Sequence, residues 1–125
     1  HASRLERRFG FYYTRLSDIM TRFQKKLDNL KSAGSDTMST QSKLTSAKAK
    51  LEQAKLKGET AVNSFKAINP AKFSEQKAEA QLARDQANEA RKLFKDTHDL
   101  LKEALKSLKL ISKPALPASS AATTR

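Results

Sequence analysis

The stretch from Ala80 to Ile111 constrains the fold more than any other. A small or apolar residue recurs there with spacings of three then four: Ala80, Ala83, Ala87, Ala90, Phe94, Thr97, Leu101, Ala104, Leu108, Ile111. That pattern lays one stripe along a helix and winds it left-handedly about its neighbours. No Gly or Pro interrupts it. Such a helix cannot bury its stripe alone, so the rest of the chain must supply facing surfaces.

Two facing surfaces precede it. The first helix is expected over about 3–33, with a seam of Leu5, Phe9, Tyr12, Leu16, Ile19, Phe23 and Leu30, and Lys26 as its one polar entry. A flanking row of Tyr13, Met20 and Leu27 widens the stripe to the breadth of a helix packed on two neighbours. Gly10 is a weak point, costing about 1 kcal/mol against Ala. Gly34 follows the last seam residue and fits a C′ position. Asp36 or Thr37 can then cap a second helix over about 37–68.

The seam of that second helix is Leu44, Ala47, Leu51, Ala54, Gly58, Ala61, Phe65 and Ile68. Its small residues demand a close or bulky neighbour, and Gly58 reads as a close-approach site. Asn69-Pro70 ends it, since proline disfavours helical geometry at the residue before it. Either Asn69 caps the third helix directly, or Pro70–Phe73 turns and Ser74 caps.

Short connections imply antiparallel neighbours. The expected fold is therefore all-α, an up-down-up three-helix bundle over residues 1–111, its third helix spanning about 71–111. At 1.5 Å per residue the first two helices run roughly 45 Å and the third roughly 60 Å. The last turns of the third helix should overhang, carrying Leu101, Leu105, Leu108 and Ile111 as a candidate interface. Its cover would be the 34–43 segment with Met38, a second copy, or a helical protein partner. Residues 112–125 hold two prolines among small residues and read as a flexible tail.

Chemistry is sparse. There is no Cys, which excludes disulfides and thiolate sites. Of two histidines, His1 is terminal and His98 stands without a second nearby, so a zinc site or nucleophile–base pair lacks parts. Carboxylate pairs such as Glu75–Glu79 and Asp99–Glu103 are interleaved with lysines on a solvent face. No catalytic residue, metal site or cofactor is expected, and the chain reads as non-enzymatic. No apolar run approaches the roughly 20 residues that span a bilayer.

Charge says more. The 25 basic side chains exceed the 13 acidic ones, for a net +12. Arg8, Arg15 and Arg22 repeat every seven residues on the first helix, and Lys43, Lys50 and Lys57 do so on the second. If these rows flank one groove, then with Arg4 and Arg7 they make a long face for non-specific binding of a polyanion, nucleic acid or acidic envelope polymer. The aromatics fall on the core stripe, which leaves no stacking platform for single strands.

The segments HASRLERRFGFYYTRLSDIMTRFQ, TAVNSFKAINPAKFSEQKAEA, ARDQANEARKLF and DLLKEALKSLKL resemble a group of small uncharacterised helical proteins of the candidate phyla radiation (Patescibacteria). The resemblance covers nearly all of 1–111 and fails in the tail. It implies export: members carry the helical region after a signal-like segment, which would make His1 the start of a mature, extracytoplasmic part. It implies no residue-level function. The expected role is a structural or interaction protein that self-associates or binds a helical partner, with polyanion binding as the alternative.

Overall fold

The computed structural model describes residues 2–112. They form α1 (Ala2–Ser32), α2 (Met38–Lys66) and α3 (Lys77–Ser112), with a 3-10 helix (Pro70–Glu75) between the last two. The arrangement is an up-down-up bundle. Of the expected tail over 112–125, Ser112 ends α3 and the rest lies outside the described residues.

The third-helix repeat is followed by the fold almost to its end. Every seam residue from Ala80 to Leu108 is buried, and Ile111 is half-buried. The second helix also buries its expected stripe from Leu44 to Ala61, with Thr40 and Val62 added and Phe65 half-buried. Small side chains on both helices let their backbones approach closely, and the α2–α3 contact is the most extensive in the bundle. Gly58 lies on the same stripe and closely approaches α1: a Cβ built there would stand 2.9 Å from Cδ2 of Phe9.

Bulk comes from α1, whose buried residues are Leu5, Phe9, Leu16, Met20, Phe23 and Leu27. The seam is thus rotated toward the row expected to flank it. Met20 and Leu27 enter the core, while Ile19 and Leu30 are only half-buried and Tyr12 is exposed. Phe9 stacks on Phe94 with ring centroids 5.5 Å apart, and Tyr12 meets the same ring edge-on at 5.6 Å. These rings therefore lie beside the middle of α3 rather than against Ala80, Ala83 and Ala87.

The turns follow from their residues. Gly34, at φ 96°, closes α1 as its N–H reaches Lys31 O and the Ser35 N–H reaches Leu30 O, each at 3.0 Å. This double bond satisfies the last carbonyls of the helix and needs a left-handed residue, which glycine supplies. Asp36 caps α2 by accepting the Met38 N–H at 3.2 Å, and Thr37 makes no side-chain cap bond. Asn69 caps neither α2 nor α3. Its side chain accepts from the Ala71 N–H at 3.0 Å and starts the 3-10 helix. Gln76 breaks that helix at φ −113°, ψ 33°, and its side chain reaches back to accept the Asn69 N–H at 2.8 Å. The third helix accordingly begins at Lys77, not near 71, and Ser74 is not its cap.

The later start removes the expected overhang. Thr40 and Ser107 are hydrogen-bonded through their hydroxyls, which sets the first turn of α2 beside the last turns of α3. Leu101 and Leu108 are 2% and 6% exposed and belong to the same core cluster as Leu27 and Leu44. Met38 does not cover them, being 81% exposed. The extra length of α3 lies at its other end. With Phe9 beside Phe94 in a parallel pair, Ala2 is level with about residue 87, so the first turns of α3 run past the start of α1.

Candidate functional site

Three grooves run between the helices, and they differ in what lines them. The α1/α2 groove is bridged by complementary groups, and between the bridges open concavities of about 420 and 470 Å³. Glu6 pairs with Lys66 at 3.3 Å, and the Tyr13 hydroxyl donates to Glu52 at 2.9 Å beneath the Lys55 ammonium. Gln24 and Gln41 exchange amide hydrogen bonds at 2.7 and 3.0 Å, with Lys48 donating to Gln24 at 2.8 Å. The α2/α3 groove is bridged similarly by Lys57–Glu89 at 3.6 Å and by Ser64 donating to Gln86 at 2.5 Å.

The Tyr13 phenol is pushed above its ordinary pKa. The hydrogen bond to Glu52 holds the proton, burial opposes the phenolate, and the Glu52 charge repels it.

The α1/α3 groove is different. Its helices are the least closely approached pair. Around Phe94 the contact between them is ring on ring, and beside it opens a concavity of about 600 Å³. Tyr12, Leu16, Ile19 and Phe94 form its floor, and Phe11 stands at its mouth, 60% exposed. Arg15, Arg91, Lys95 and His98 line its sides. Its lining is mostly apolar, with a few charged groups at the edges.

The rims are mostly basic well beyond that concavity. On α1, Arg8 and Arg22 stand one heptad either side of Arg15, with Lys26 one heptad beyond Ile19. On α3, heptad spacing carries the face of Arg91 and Lys95 through Arg84, His98, Lys102 and Leu105. The carboxylates of α3 are held elsewhere. Glu79, Glu89, Asp96 and Glu103 fall on the side turned to α2, as the Glu89–Lys57 pair shows, and Asp85 and Asp99 fall on the outer face. Lys95 hydrogen-bonds Asp99 at 3.2 Å, which holds that exposed carboxyl below its usual pKa. On α1 the nearest acid is Asp18, one heptad from Phe11 on the outer shoulder.

The structure thus separates the two rows expected to flank one groove. Arg15, with Arg8 and Arg22, flanks α1/α3, whereas Lys57, with Lys43 and Lys50, flanks α2/α3. Lys57 is ion-paired, and Lys43 lies within 3.4 Å of Ser39. Arg4 and Arg7 are exposed on the first turns of α1. Of the candidate interface, Leu101 and Leu108 are core, so the four leucine and isoleucine residues do not form one surface. Leu105 and Ile111 remain half-buried, and Leu105 falls on the rim that carries His98.

The opposing rim, Arg91 to Leu105, was missed. Its signal was a carboxylate-free flank within a helix of nearly balanced charge.

Among the described residues no group of three histidines or carboxylates gathers to hold a metal ion, and no helix is long and apolar enough to cross a membrane. Comparison with family models, curated proteins and solved structures returns no match to this chain.

Proposed function

We propose that the chain is a non-enzymatic interaction protein, structural or connecting in role, that meets its partner through the α1/α3 groove. The supporting observation is a contrast among the three grooves. Two are bridged from helix to helix by ion pairs and amides, while the third sets cations on both rims of an open apolar floor, Lys95 pairing within α3 to Asp99. A partner that covered the apolar floor would remove it from water, and the basic rims would set the sign of its flanks. An extracytoplasmic setting rests on the resemblance of the helical segments to exported proteins.

The groove is a poor match for itself, because two copies face to face set arginine against arginine. The chain alone should therefore be a monomer by light scattering at low and at high salt. An oligomer that survives high salt would mean that apolar faces close between copies, and the α1/α3 groove would lose its role as the working surface.

A further inference from the structure

We infer that the α1/α3 groove takes an acidic amphipathic helix from another protein, which lies along it as the fourth member of the bundle. The inference rests on the interaction role proposed above and names the chemistry of the partner.

Three features select a helix. The floor is apolar and its flanks are periodic: Tyr12 and Ile19 are one heptad apart along α1, and His98 and Leu105 are so on the α3 rim. The rims repeat with the same period, so a helix with leucine-like residues along its seam would meet apolar floor and charged rim in step. The groove is also long. From Arg8 to Arg22 it runs about 21 Å at 1.5 Å per residue, the length of roughly four helical turns.

The sign of the rims selects the charge. Cations on both sides favour glutamate or aspartate on both flanks of the incoming seam and repel a basic helix. This also argues against a second copy as the occupant. The acidic row of α3, Glu89, Asp96 and Glu103, has the right spacing. It lies on the side of α3 turned to α2, and Glu89 is already paired to Lys57.

The test uses the full chain and four labelled probes, read by fluorescence anisotropy at physiological ionic strength. Three are synthetic peptides of three heptads: leucine seam with glutamate flanks, the same composition with its heptad order scrambled, and leucine seam with lysine flanks. The fourth is an oligothymidylate. The glutamate-flanked heptad peptide should bind at least about tenfold more tightly than the scrambled or lysine-flanked one, as expected for matched against mismatched flank charges. Replacing Arg15→Glu together with Arg91→Glu, both on exposed positions, should invert the preference between the acidic and basic peptides and leave the circular dichroism unchanged. Equal binding of the heptad and scrambled peptides, or displacement of the peptide by the oligothymidylate, would make the occupant any polyanion. The helix inference would then fall, while the groove would stand if the double reversal still abolished binding. Binding of the acidic peptide that ignores the reversal would remove the groove itself. No binding below ~1 mM would overturn the inference outright.

Discussion

Gly58 and Gly10 sit in similar helical backbone and should respond oppositely to one added carbon. Alanine is worth up to about 1 kcal/mol more than glycine inside a helix. At Gly10 nothing lies within 4 Å of the new Cβ, so Gly10→Ala should raise stability by most of that amount. At Gly58 the Cβ meets the Phe9 ring, which is itself held against Phe94 and cannot swing aside. Overpacking of this kind costs about 1–3 kcal/mol, so Gly58→Ala should lower stability despite the better propensity. Thermal melts of the two variants decide it. Tyr13 makes a second residue-scale statement. Its raised pKa means that the folded state keeps the phenolic proton more tightly than the unfolded chain does. The associated stabilisation is complete below the unfolded value of about 10 and is lost as pH climbs through the folded one. Urea melts between neutral and strongly alkaline pH should show the advantage of the native chain over Tyr13→Phe shrinking as pH rises. A constant difference would mean that the Glu52 hydrogen bond does not control that proton.

At the scale of the elements, the end of α3 gives the clearest contrast. Leu101 is core and Leu105 is a half-buried groove residue four positions on. Leu101→Ala should cost about 2–5 kcal/mol, the range for a leucine deleted from a packed interior. Leu105→Ala should cost well under half of whatever Leu101→Ala does, judged by chemical denaturation. Replacing Leu101, Leu105 and Leu108 together by polar residues should unfold the monomer. The stripe of α3 was legible in the sequence because an uninterrupted three-four repeat admits one face only. The stripe of α2 was legible for the same reason, and Gly58 declared itself by falling on it. On α1 the apolar residues are broader than one stripe, so periodicity alone could not say whether Tyr12 and Ile19 or Met20 and Leu27 faced inward. The start of α3 was obscured because residues 70–75 are compatible with either kind of helix. The break depends on Gln76 reaching back to the Asn69 N–H, a side-chain choice that no spacing announces.

For the whole molecule, the groove depended on a fact that heptads do not contain: on which side of α1 the third helix comes to lie. Swapping that side would bring the lysine row of α2, not Arg91 and Lys95, toward Arg8, Arg15 and Arg22. Once the side is set, part of the basic excess is gathered along one groove. Cations facing each other across one groove repel, and added salt shortens the reach of that repulsion from about 30 Å at 0.01 M to about 10 Å at 0.1 M. The melting temperature should therefore rise by a few degrees over that range, since ~1 kcal/mol moves a domain of this size by about 4–8 °C. A fall would mean that the pairs Glu6–Lys66 and Lys57–Glu89 outweigh the groove. The stacking of Phe9 on Phe94 has a further consequence, in time rather than space. The ribosome releases the bulkiest share of the core first and its ring partner 85 residues later. At about 5–20 residues per second, Phe9 waits roughly 4–17 s for Phe94. Through that interval the nascent chain displays an aromatic, arginine-rich helix with its final shelter not yet made. What holds that helix in the meantime, α2 or a helper of the cell, decides how much of each newly made chain reaches the bundle.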